Sequence, residues 1–317
     1  MEEPRFSLLL KGGQVIDPAN GRYGIADVGI ANGRIAQVAE DIPASSAETV
    51  VDVSGRLVTP GLLDMHMHAY HTRAPEGAPE GLSVVADHHT LRSGVTTAVD
   101  TGTAGARHFP HFKRTVIDVA TTRILAFVNI VDSGMLGPWE HDVDEMDPER
   151  AAATALENPD VCIGIKTAHY RPTQPLDDRN TAWAAVDRSI RAAELCRKPV
   201  MFDFFPRVER PYEELLLRRM RPGDIHTHVY ARHFPILDEH RQPQRFMFEA
   251  RERGMFFDLG HGAGSFWFRQ AAPMLAHGFP PDTISTDLHI LNVNGPVIDM
   301  VTTMSKMLNL GMPLPEV

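Results

Sequence analysis

The sequence predicts an α/β fold: a (β/α)8 TIM barrel with a small N-terminal β-sandwich-like domain. Three observations carry this. Apolar strand-like runs recur from residue 61 onward, helical stretches separate them, and the first 58 residues read as closely spaced strands and turns. The expected division is 1–58 for the small β domain and 59–317 for the barrel, and 317 residues suit one barrel with an appendage.

In the N-terminal part, "SLLLKGGQVI", "ADVGIANGRIAQVA" and "TVVDVSGRLV" read as short strands broken by turn signals, and the Asn32-Gly33 pair is a hairpin turn signal. The barrel strands are expected at 62–68, 94–100, 124–130, 161–167, 199–205, 224–230, 255–261 and 283–289. Between them, "DRNTAWAAVDRSIRAAELCRK" and "YEELLLRRM" repeat apolar residues at spacings of three and four, the mark of helices covering a sheet. The acidic stretch "WEHDVDEMDPE" reads as a loop after the third strand, mobile or simply solvated.

Composition narrows the function classes. Asp and Glu outnumber Lys and Arg by 41 to 31, and the net charge of -10 disfavours nucleic acid and anionic membrane surfaces as partners. The two cysteines, Cys162 and Cys196, have no CxxC spacing and are expected as reduced buried thiols. The acidic start "MEEPRFSLLLKGG" lacks a signal-peptide pattern and no run is long enough to span a bilayer, so a cytoplasmic protein acting on a small molecule is expected.

The residues that carry chemistry sit late in the expected strands. In "LLDMHMH", His66 and His68 stand two apart, so a strand aims both imidazoles to one face at the barrel end where such enzymes keep their sites. Lys166 ends the fourth strand; a buried ammonium there must pair with an acid, lose its proton, or take up carbon dioxide as a carbamate. His228 closes "DIHTH" in the sixth strand, and Asp287 lies in "TISTDLH" in the eighth, where a carboxylate can bind a metal and accept a proton.

Together with "LLLKGGQVIDPANG", "VDVSGRLVTPGLLDMHMH", "SGVTTAVD", "GIKT", "RPGDIHTHVY", "FFDLGHGAGSFWF" and "DTISTDLH", these residues make the chain resemble the amidohydrolase superfamily, in its dihydroorotase and hydantoinase branch and near its N-acyl amino acid deacylases. The resemblance implies that His66, His68 and Asp287 hold a buried metal. It further implies that Lys166, carboxylated by carbon dioxide, bridges to a second ion held with His228. Zinc is the expected ion, with manganese, iron or cobalt compatible with the same donors. Where most of the family has a histidine late in the fifth strand, this chain has Asp203, either a harder metal ligand or the mark of a weak second site.

The implied reaction is hydrolysis of an amide or ester bond of a small N-acyl or O-acetyl carboxylic acid, or of a cyclic amide, by a metal-bound hydroxide, with Asp287 as general base and acid. Substrate contacts are expected from the loops: His169 and Arg171, Arg207, Arg232, His261 and Gly262, and His289. Tyr70, two residues beyond His68, replaces an arginine usual in dihydroorotases and disfavours dihydroorotate itself. A mononuclear deaminase of the same superfamily and a non-catalytic hydantoinase-like scaffold are the alternatives; a homo-oligomer fits all three. The resemblance also implies strands after the eighth helix that return to the N-terminal sheet, so the sandwich is expected to lack these C-terminal strands and keep unpaired edges.

Overall fold

The computed structural model describes residues 5–71, 82–135, 138–167, 169–172 and 175–317; part of the acidic start lies outside them. The chain forms two compact units, one running to Leu62 and including Pro313–Glu316, the other covering Leu63–Met312.

In the first unit, β1 (Phe6–Asp17) pairs antiparallel with β2 (Arg22–Ala31), which pairs antiparallel with β3 (Arg34–Ala39). The turn between β2 and β3 is the Asn-Gly pair, with both residues at positive φ, 52° and 69°. Such a turn matches the twist of the flanking strands. Two later strands, β4 (Ala47–Asp52) and β5 (Leu57–Val58), join β1 in parallel, a pairing that alternation alone does not specify. Phe6, Leu9 and Ile42 make its small core. Gly29 has no side chain where the Phe6 ring lies, since a Cβ there would sit 2.8 Å from it.

In the second unit, β6 (Leu62–Met67), β7 (Val95–Gly105), β8 (Arg123–Asn129), β9 (Cys162–Lys166), β10 (Val200–Phe202), β11 (Ile225–His226) and β12 (Phe256–Phe257) follow one another in a single curled sheet, in chain order. The registered pairs from β7 to β12 are all parallel. Residues 283–289 complete the ring without forming a regular strand: Thr283 bridges Asp258 and Leu288 bridges Met67, both in parallel. The Asp287 amide donates to the His66 carbonyl at 2.6 Å and the His68 amide to the Leu288 carbonyl at 3.0 Å.

The ladders of the fifth to eighth strands are shorter than the sequence suggests, and the reason lies in the backbone. His228 (φ 60°), Gly260 (φ 47°) and Asp287 (φ 49°) adopt the left-handed conformation, which takes the chain out of the sheet at its C-terminal edge. The second strand is longer than expected and runs to Gly105, with Gly102 at φ 78°.

Longer helices cover the sheet at Pro148–Glu157, Ala184–Cys196, Arg245–Glu252, Phe268–Ala276 and Met300–Asn309. Asp147 and Asp299 cap two of them, accepting from the amides of Arg150 at 3.0 Å and Thr302 at 2.8 Å. The expected helix in "YEELLLRRM" is a single α-turn, Tyr212–Glu214, followed by a π-type turn at Leu215–Arg219 that buries Leu215 and Leu216. The acidic stretch folds into 3-10 turns, and its Glu145 accepts two hydrogen bonds from Arg107 at 3.0 Å. No helix of the described residues is long and apolar enough to cross a membrane.

Candidate metal centre

His66 lies within β6 and His68 one residue past its end, and the alternation of the strand brings their rings to 5.8 Å. Asp287 reaches them from the closing segment: its Oδ1 is 3.2 Å from His68 Nε2 and 3.5 Å from His66 Nε2. The ligand atoms of these three buried residues lie within 4.8 Å of one another.

Both rings are oriented from behind. His68 Nδ1 lies 2.8 Å from the Thr103 hydroxyl, and His66 Nδ1 lies 2.9 Å from the Thr227 hydroxyl. That hydroxyl donates onward to Asp258 at 2.7 Å, and Asp258 also accepts from Thr283 at 2.6 Å. The Nε2 atoms therefore face the shared point with Asp287, an arrangement that fits a divalent ion held by two imidazoles and a carboxylate. Burial holds the His66 imidazole at a pKa of about 4, the neutral form a metal needs. Burial raises Asp287, but His66, His68 and His228 outweigh it and keep the carboxylate charged.

Gly262 shapes the same point. It sits at φ 56°, and a Cβ on it would lie 2.5 Å from Asp287 Oδ2, so only glycine lets this backbone pass the carboxylate.

A second group gathers around Asp203, just beyond β10. Its Oδ1 is 2.9 Å from His169 Nε2, and its Oδ2 is 3.5 Å from His228 Nε2 and 3.6 Å from Lys166 Nζ. Lys166 is 1% exposed and Asp203 4%. Burial raises Asp203, yet the charges of His169, His228 and Lys166 hold it well below the usual carboxylate range. Burial alone would lower His228; Asp203 instead lifts it to about 9, while its Nδ1 meets the Gly260 carbonyl at 2.6 Å. The two groups adjoin, with the His66 and His228 rings 5.0 Å apart.

The expected substrate contacts divide. Gly262 touches Asp287, and the ring of His289 lies 6.2 Å from that of His68. His169 joins the Asp203 group. His261 stacks on Phe266, its Nε2 accepting from Lys306 Nζ at 2.8 Å. The arginines are engaged elsewhere among the described residues: Arg171 lies over Phe205 at 4.7 Å, Arg232 over Trp267 at 5.1 Å, and exposed Arg207 forms a backbone bridge with Arg210. His226 is buried among Tyr212, Phe234 and Phe257, two residues from His228 but in an aromatic layer.

Sequence reasoning missed the residues behind the imidazoles. Thr103 and Thr227 carry no motif of their own. Asp258 and Asp64 are each an acid inside an apolar strand run, which is the signal that marks them. Asp64 accepts from the amides of Thr286 at 3.0 Å and His66 at 3.2 Å, tying the first and last strand positions together, and burial lifts its pKa to about 7.

Fold and site together define a metal-dependent hydrolase built on a curled parallel sheet. No family model matches the chain. A deacetylase of Agrobacterium fabrum is 30% identical over 301 residues, covering 90% of this chain and 69% of its own length. A deacetylase of Enterococcus faecalis is 31% identical over 317 residues, covering 98% and 81%. Among solved structures, an adenine deaminase superposes with a TM-score of 0.83 and a dihydroorotase with 0.79, each 29% identical and covering 98% of this chain, and 81% and 80% of theirs. The chain belongs to the amidohydrolase superfamily, as its motifs imply, and is a metal-dependent amidohydrolase.

Proposed function

We propose that the protein hydrolyses the amide bond of a small N-acyl carboxylic acid, or the ester of an O-acetyl one, with zinc on His66, His68 and Asp287. The observation that carries this reading is the convergence of those three donors within 4.8 Å, both imidazoles being held from behind by threonine hydroxyls. The deacetylases of Agrobacterium fabrum and Enterococcus faecalis support an acyl substrate. A bound divalent ion supplies Lewis-acid chemistry, lowering the pKa of water toward neutrality and polarising a carbonyl.

The chain's own residues do the rest. Asp287, kept charged and buried, accepts a proton from the attacking water and returns it to the leaving nitrogen or oxygen. Gly262 leaves Oδ2 of that carboxylate uncrowded. His261, stacked on Phe266 beside Gly262, walls the site, and His289 flanks His68. The exposed apolar residues Tyr23, Ile25 and Ile35 on β2 and β3 support reading the N-terminal sheet as one layer of a sandwich.

A second reading has a specific observation behind it, the superposition on an adenine deaminase. One experiment separates them. Zinc-loaded protein is assayed against N-acetyl and longer N-acyl amino acids of both hands, O-acetyl hydroxy acids, cyclic amides and adenine, following carboxylate and ammonia release. Turnover of acyl substrates without ammonia from adenine is expected; ammonia release from adenine alone overturns the acyl reading.

A further inference from the structure

We propose that Lys306 binds the carboxylate of the substrate and so sets the class the site accepts: acyl acids with a free carboxylate on the leaving-group side of the scissile bond. This rests on the hydrolase reading above and names the residue that recognises the acid.

The helix Met300–Asn309 carries Lys306, whose Nζ donates to His261 Nε2 at 2.8 Å and to the Pro296 carbonyl. Both acceptors are neutral. His261 Nδ1 lies 2.9 Å from the Gly262 carbonyl, which puts the ring proton on Nδ1 and leaves Nε2 to accept, and burial holds this imidazole at a pKa of about 4. An ammonium has three N–H groups, so one remains for a ligand. Lys11, Lys113 and Lys166 each face an aspartate, whereas among the described residues no carboxylate pairs with Lys306. Burial draws its pKa below the ordinary lysine value, with no acid to raise it. A half-buried cation without a counter-charge is a place where an anion gains most.

That cation stands at the rim of the metal centre. His261, which it touches, adjoins Gly262, and a Cβ on Gly262 would lie 2.5 Å from Asp287 Oδ2. The charges of Lys306 and of Asp287 both act on His261. In an N-acyl amino acid or an O-acetyl hydroxy acid, a single carbon separates the leaving nitrogen or oxygen from the carboxylate. A carbonyl held at Asp287 therefore carries its carboxylate a few ångströms further along, toward the Lys306 ammonium.

The test is a comparison of acids with their uncharged counterparts. Zinc-loaded protein is assayed with N-acetyl amino acids of both hands and O-acetyl hydroxy acids, each beside the compound whose carboxylate is replaced by a carboxamide. The acids are expected to be preferred. Lys306→Gln keeps an N–H donor and loses the charge; it is expected to raise KM for the acids roughly 10–100-fold with kcat little changed, and to leave the carboxamides as they were. Lys306→Arg is expected to restore most of the preference. Zinc content and circular dichroism are expected to match those of the unaltered protein, which separates lost recognition from lost structure, and Lys306→Met gives the same comparison should the glutamine variant not fold. Equal turnover of acids and carboxamides by the unaltered protein, or a charge-free variant that keeps the preference, overturns the inference and leaves the hydrolase reading standing. If no acyl compound is turned over at all, that reading falls, and this inference with it.

Discussion

Two buried aspartates, Asp27 in the N-terminal sheet and Asp287 in the barrel, have opposite surroundings. Asp27 takes hydrogen bonds from the amides of Gly12 and Ile42 at 2.8 and 2.9 Å and from Lys11 Nζ at 2.8 Å. Its partners are mostly main chain, and they lock one loop to one strand. Asp287 instead faces the side chains of His66 and His68, and the Gly262 backbone passes close to its Oδ2. A carboxylate saturated by amides and one lysine is structural. One whose partners are imidazoles that can themselves take a metal is poised for chemistry.

The sharpest way to break this contrast is Asp287→Asn. An amide oxygen can still face a metal but cannot take a proton, so zinc content is expected to hold while turnover falls roughly 10²–10⁴-fold. A near-normal rate would return Asp287 to the structural class. Gly262→Ala comes next. It adds a methyl 2.5 Å from Oδ2 at a residue with φ 56°, and displacement of the carboxylate is expected to cost up to about 100-fold in kcat, with the fold preserved by circular dichroism.

The smallest catalytic effect belongs to Asp27→Asn. Turnover is expected to stay unchanged, while denaturant unfolding at neutral pH shows a loss of about 1–3 kcal/mol. Burial raises the pKa of Asp27, but Lys11 and the two amides more than offset that and bring it below the ordinary carboxylate value. The sign follows: its contribution is full above the unfolded pKa and is lost as pH falls through the lower folded one. The gap between native and Asp27→Asn protein should therefore close in acid. A gap that is the same at neutral and acidic pH would deny the ion pair its role.

How far the site was legible depends on how local its signals are. His66 and His68 declare themselves because strand alternation puts i and i+2 on one face. Lys166 declares itself because a charge ends an apolar run. Thr103 and Thr227, which orient the two imidazoles, are ordinary threonines until the curled sheet brings them up to His68 and His66. The expected arginine contacts rest on a weaker signal, because cationic residues in loops after strands look alike; Arg171 and Arg232 lie over the aromatic rings of Phe205 and Trp267.

The sequence by itself determined the repeating strand-and-helix rhythm, the stretch of chain that bears each chemical residue and the superfamily, because alternation and motif spacing are properties of neighbouring residues. Only the tertiary structure decided where the ladders stop, which threonines stand behind the imidazoles and that Lys166 meets Asp203. Those outcomes depend on distances of a few ångströms between strands far apart in the chain, set by sheet curvature and by left-handed residues such as His228 and Asp287.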